Sequence, residues 1–172
     1  MGYPSLDLNN PGVIQNFKES GFGGDSDFAS AIINGQKSWV DVTITAAQAL
    51  ASFTTPVVVI AAPGAGKAII VESAVASLVY VSATYAWNAG GALLKYKADA
   101  SGASSGITFL EAFLESSSGT NVQFVRGAAT AHSPDINQPL VFQSAAADPT
   151  TGDSPIKIRV YYRVVPVPLP SY

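Results

Sequence analysis

The sequence predicts an all-β fold: an antiparallel β-sandwich of jelly-roll type, preceded by an extended N-terminal arm. Three observations carry that expectation. From Ser38 onward, short segments alternate apolar and polar residues with the period of two that puts one face of a strand in a core. Turn-rich links such as DASGASSG, SSSGT and DPTTGD separate them, with no alternating long helices of the kind a parallel sheet requires. Residues 1–38 instead combine many chain breakers with scattered large apolar groups.

That first segment holds Gly2, Gly12, Gly21, Gly23, Gly24 and Gly35 with Pro4 and Pro11, which leaves little room for regular structure. A free flexible tail would carry fewer apolar groups, because disorder goes with low hydrophobicity. The segment therefore reads as a docking arm lying extended on a partner, with Tyr3, Leu6, Leu8, Phe17, Phe22 and Phe28 as its anchors. A short helix fits SDFASAIIN, with Asp25 or Ser26 as its cap and Gly35 at its end. The alternative is that the segment folds into a domain of its own.

The domain proper is expected over 39–166. WVDVTIT alternates Val40, Val42 and Ile44 with Asp41, Thr43 and Thr45, a half-buried strand. TAAQALASF suits a brief helical turn capped by Thr45. PVVVIAA reads as a buried strand entered through Pro56, and AAPGAGKA as the turn that follows. A long strand comes next, with Ile69, Val71, Val75, Val79 and Val81 expected on one face and Glu72, Ala74 and Ala76 on the other. Further strands are expected at GALLKYKA, NVQFVRGAA and PLVFQSAA, while ITFLEAFLES fits alternation poorly and leaves a helical turn open. PIKIRVYYRVVPV is the clearest strand, with Ile156, Ile158, Val160, Tyr162 and Val164 facing one way. The proline-rich end is expected to leave the sheet as a tail over 167–172. No internal repeat of fixed period is present.

AAPGAGKA invites comparison with a phosphate-binding loop, which needs glycine, four residues, then Gly-Lys and a hydroxyl. Ala61 stands where the first glycine belongs and Ala68 where the hydroxyl belongs. A valine-rich segment follows in place of a helix, so a Pro-Gly turn between strands is the reading taken.

Composition sets limits on function. There is no cysteine, which excludes disulfides, thiolate zinc sites and cysteine catalysis. The start of the chain lacks the basic and apolar regions of a secretory signal, and no apolar run is long enough for a membrane helix, so a soluble, non-membrane protein is expected. A net charge of −3 without any Lys/Arg cluster argues against a nucleic-acid surface. Only 12% of residues are charged, about half the usual share. A lone monomer would struggle to cover itself with charge, which points to self-association in a stable assembly; a surface made polar by Ser, Thr, Asn and Gln is the rival explanation.

The search for chemistry finds little. His132 is the only histidine; Ser133 and Asp135 lie too close to it in sequence for a proton relay, so a hydrolase is the weakest of the functional readings. Asp25 and Asp27 begin like a calcium loop, but Ser30 and Gln36 occupy positions that need glycine and glutamate. Glu111 and Glu115 read as solvated acids rather than a glycosidase pair. Tyr80, Tyr85, Trp87 and Tyr96 could form a sugar-stacking platform, although core filling is the plainer reading. The sequence thus predicts no catalytic residue, cofactor or metal.

The run from Val42 to Tyr80 orders TAAQ, TTPV and APGAGK ahead of a valine-rich strand. In that series it resembles a group of small bacteriophage virion structural proteins. The resemblance implies a non-enzymatic capsid decoration or cement protein, a head-fibre base or a tail-associated module, and it brings no catalytic residues with it. The expectation is a homotrimer that binds the major capsid protein on the capsid surface, made in the host cytoplasm. A receptor- or carbohydrate-binding jelly roll of a fibre, with a glycan as partner, is the alternative.

Overall fold

The computed structural model describes residues 37–87, 90–97, 99, 102–127 and 134–167. The arm anchors Tyr3, Leu6, Leu8, Phe17, Phe22 and Phe28, the helix expected at 26–34, His132, Ser133 and the tail from 168 on lie outside these residues. No helix among the described residues is long and apolar enough to cross a membrane.

The described chain runs β1 (Ser38–Ile44), α1 (Ala46–Leu50), β2 (Val57–Ile60), β3 (Lys67–Val79), β4 (Ala92–Tyr96), β5 (Ser104–Phe109), α2 (Glu111–Leu114), β6 (Thr120–Arg126), β7 (Leu140–Ser144) and β8 (Ile156–Pro166). The strands form two four-stranded sheets, ordered β1-β8-β3-β6 and β2-β7-β4-β5, and every pairing is antiparallel. This is the all-β sandwich that the alternation predicts. The pairings are nested: β1 with β8, β2 with β7, β3 with β6 and β4 with β5. The chain thus behaves as one long ribbon doubled back at the β4–β5 turn. Cross-links of β3 to β8 and β4 to β7 join its turns into sheets.

The inward faces of the two sheets enclose one core. Ile44, Ile69, Leu78 and Ile158 from one sheet meet Leu94, Phe109 and Phe142 from the other, all at or near zero exposure. Trp87 and Phe142 meet edge to face at 6.2 Å, and Phe109 lies 6.1 Å from Phe142, so three large rings fill the middle.

Local sequence explains most element ends. Thr45 caps α1 as expected: the Gln48 N–H donates to its hydroxyl at 3.3 Å, and the Thr45 N–H donates to the Gln48 side chain at 2.9 Å. The ambiguous ITFLEAFLES divides into the end of β5 and the single turn of α2, because Phe109 is buried in the sheet while Phe113 and Leu114 pack inward from a helix. The turn between β2 and β3 has Gly64 at φ 98° and Gly66 at φ 68°, conformations that need glycine. Its Gly64 N–H donates to Asn137 at 3.0 Å, so an amide that a phosphate loop would offer is already used. β8 continues to Pro166, paired with Lys67. Pro166 stands at the strand end, where a missing N–H costs least.

One expected face is wrong. Ile69 and Val71 are buried, but Val75 is only partly covered, Val79 is exposed, and Val81 is exposed beyond the strand. The register of β3 against β8 shifts between Val71 and Ser73, a bulge that absorbs Glu72. An extra residue reverses the alternation beyond it. Ala74, Ala76 and Leu78 therefore enter the core, and Val75 and Val79 turn to solvent.

Candidate interaction surface

The bulge matters because it shapes the outer face of the β1-β8-β3-β6 sheet. Register places three rows of side chains across its strands: Trp39, Tyr161, Ser73 and Arg126; then Asp41, Arg159, Val75 and Phe124; then Thr43, Lys157, Ser77 and Val122. Val79 lies beside Thr120 at one end. The face is thus divided: charged and aromatic over β1 and β8, and mixed over β3 and β6, where Val75, Val79, Val122 and Phe124 stand among Ser73, Ser77 and Arg126, whose guanidinium lies 5.7 Å from the Phe124 ring centre.

On the β3 and β6 half, Val122 is 65% exposed, Phe124 56% and Val79 46%. β6 is inverted relative to an ordinary half-buried strand. Its inward Asn121 donates to the Ser116 hydroxyl and to the Ser118 carbonyl, and inward Gln123 accepts from the Leu110 N–H at 3.1 Å. These polar side chains hold the α2–β6 connection; Val125 packs against the core, while Val122 and Phe124 face water. Val79, Val122 and Phe124 thus share one exposed face with Thr120 and Arg126.

On the other half, Arg159 makes a bidentate pair with Asp41, both bonds at 2.7 Å, and its guanidinium sits 4.4 Å from the Trp39 ring centre. The Arg159 hydrogen bond holds the Asp41 carboxyl below its ordinary range. Trp39 itself is 58% exposed, so a rigid aromatic and a fixed ion pair lie side by side. At the upper end of the sheet, Glu72 accepts from Lys37 at 2.9 Å and from Arg163, which together keep its carboxyl ionised below the usual value. The bulged residue thereby fastens the root of β1 to β3 and β8.

A cleft of about 270 Å³ opens beside Glu72, lined by Ile70, Val71, Tyr96, Ser105, Gly127 and Pro134. The Tyr96 phenol in it is raised above its normal pKa by burial and is bonded to the Val71 backbone. Ser105 donates to the Leu94 carbonyl at 2.8 Å, so its hydroxyl is committed to the fold.

Among the described residues no cluster of His, Asp and Glu could hold a metal ion. Glu115 accepts from the Trp87 backbone N–H at 2.6 Å, a structural use for one of the two acids. Asp135 is described but its supposed partners His132 and Ser133 are not. Three members of the aromatic group are core residues: Tyr85 and Trp87 are each 3% exposed and Tyr96 is 2%. They cannot offer a stacking platform. Tyr85 also donates to the Ser154 carbonyl at 2.5 Å, and burial, with Asp153 nearby, pushes its phenol up to about 12.

Sequence reasoning missed the outer face. Its residues were visible as strand residues, but the bulge that aims Val75 and Val79 outward leaves only a weak mark, the pair Glu72-Ser73 inside an apolar run. No protein-family model matches the chain, and no curated protein matches it significantly.

Proposed function

We propose that this chain is a non-enzymatic structural protein of a bacteriophage virion, a capsid decoration or cement protein. In this reading the β-domain is a jelly roll that associates with copies of itself, as a homotrimer, and the N-terminal arm docks on the major capsid protein. The carrying observation is the outward Val79, Val122 and Phe124 on a chain with few charges. A surface of this kind costs solubility unless another surface covers it, and an assembly covers it permanently. The nested strand pairing supports the jelly-roll part, since two interleaved four-stranded sheets of this order are the architecture of many capsid and lectin domains. Fold alone does not give function; the outer surface of the β1-β8-β3-β6 sheet supports this one.

Such a protein works by adding buried area between neighbouring shell subunits. Separating the shell then requires breaking those contacts as well, and the stabilisation follows mass action in bound protein. Trimers suit the threefold positions that capsid lattices offer. The arm anchors Tyr3, Leu6, Leu8, Phe17, Phe22 and Phe28 supply the apolar contacts to the shell. Deleting residues 1–30 should leave a folded, self-associated domain that no longer decorates particles, read by co-sedimentation with capsids. Normal decoration by the truncated protein would remove the arm from the account.

A further inference from the structure

Each sheet has two edge strands, and among the described residues β6 differs from the other three. β1 carries Asp41, paired with Arg159, and starts beside Lys37. β2 is four residues long, follows Pro56 and has a register shift between Val58 and Ile60. β5 contains Gly106 at φ 81° and meets β4 through a register shift. Charge, shortness, proline and bulges are the devices that stop an edge from pairing with another chain. β6 has seven residues in unbroken register with β3, holds no proline or glycine, carries its one charge, Arg126, at its end, and turns Val122 and Phe124 outward.

The backbone groups of β6 that no other described residue pairs can be identified. The Tyr80 N–H donates to the Gly119 carbonyl and the Gly127 N–H to the Glu72 carbonyl, each at 3.0 Å. Both bonds are in step with the β3–β6 register, in which Val75 faces Phe124. Alternation along an antiparallel strand then directs the amides of Asn121, Gln123 and Val125 toward β3. Those of Thr120, Val122, Phe124 and Arg126 point away from β3, to the edge where the described sheet ends.

We propose that β6 pairs with β6 of a second copy, antiparallel, about a two-fold axis at Gln123. This register makes Val122 face Phe124 of the other copy and Thr120 face Arg126, so all four outward-pointing residues are bonded. Shifting the pairing by two residues in either direction leaves edge groups unused. The arrangement also keeps the two Arg126 charges at opposite ends, and it sets an aromatic against a β-branched residue twice, a favourable cross-strand combination. The outer faces of the two sheets become one continuous strip. A strand of seven residues gives a contact only about 24 Å long and one strand edge deep, so pairing of the domain by this contact alone depends on concentration. The proposal rests on the self-associating part of the functional reading. Its failure is separable from failure of the capsid part, because pairing is measured on free protein and decoration on particles.

The chain has no cysteine, so an introduced thiol is the only one present; Gln123 also accepts from the Leu110 N–H, so the reduced variant must first melt within a few degrees of wild type. In the proposed register Gln123 faces its own copy as a non-hydrogen-bonded pair with Cα atoms about 4.5 Å apart, within disulfide range. Mild oxidation of full-length Gln123→Cys should give a covalent dimer on a non-reducing gel, several-fold more than Val58→Cys, an exposed thiol on the β2 edge. Adding Val122→Pro, whose lost N–H points away from β3, or Val122→Lys should return the yield to that of Val58→Cys without lowering the melting temperature by more than a few degrees. Sedimentation of the wild-type chain should show even copy numbers, two or, for joined trimers, six. Dimer yields from Gln123→Cys no higher than from Val58→Cys, or wild-type chains that stay monomers or trimers at high concentration, would overturn the two-fold contact.

Discussion

At the scale of single residues, the described domain is fastened by carboxylates that accept from distant backbone. Asp153 accepts from the Ser82 hydroxyl at 2.6 Å and from the Ala83 N–H at 3.0 Å, tying the segment after β3 to the connection before β8. Asp148 does the same for Phe53 and Thr54 beyond α1, at 2.7 and 3.1 Å. The Ser82 hydroxyl and the Ala83 amide hold the Asp153 carboxyl below its ordinary value. For Asp148 burial alone would raise it, but the Thr54 hydroxyl and the two amides outweigh that and the net direction is down. A carboxyl with a lowered folded pKa contributes stability that is complete above its unfolded value and is lost as pH falls through the folded one. The melting temperature is therefore expected to drop as pH is taken from about 6 to about 2. Asp153→Asn should melt lower than wild type at the upper end and converge with it at the acid end, as followed by circular dichroism. None of this was legible in the sequence, where Asp153 is merely one residue of a turn: the partner amides lie some 70 positions away and are chosen by the fold.

Strand identity, by contrast, was largely legible, because apolar alternation is a direct physical requirement of a half-buried strand. Val40, Val42 and Ile44, and Ile156, Ile158 and Val160, face the core as their spacing demands. The α1 cap was legible too, since the capping interactions reach only from Thr45 to Gln48. What failed was the far half of β3, where period-two reasoning assumes an unbroken strand and the bulge at Glu72 breaks it. The correction has a measurable consequence. Ala76, fully buried, should not accept bulk: Ala76→Leu is expected to cost about 1–3 kcal/mol by overpacking. Val79→Ala, on the outer face, should stay within about 0.5 kcal/mol. Urea denaturation of both variants distinguishes the two faces, and the opposite ranking would restore the unbroken strand. The inversion of β6 was equally hidden, because Val122 and Phe124 alternate with Asn121 and Gln123 whichever way the strand is turned.

For the whole molecule, the sandwich is explained by a ribbon that folds back on itself and encloses a core, and the surface by what the core leaves out. Few charges, the outward Val79, Val122 and Phe124 and an edge strand without proline, glycine or bulge all lead to the same expectation, that other copies or a larger shell cover this side of the domain. The low charge content was visible in the sequence; the side of the molecule it concerns was not, because that depends on the bulge and on the inward turn of Asn121 and Gln123. The most direct test of the central claim is the solution mass of the full-length protein by light scattering over a range of concentration, beside that of Phe124→Asp. The account predicts an oligomeric wild type and a variant of lower mass with an unchanged melting temperature, since Phe124 is outside the core. A monomeric wild type at every concentration, or an oligomer whose mass Phe124→Asp leaves unaltered, would contradict it.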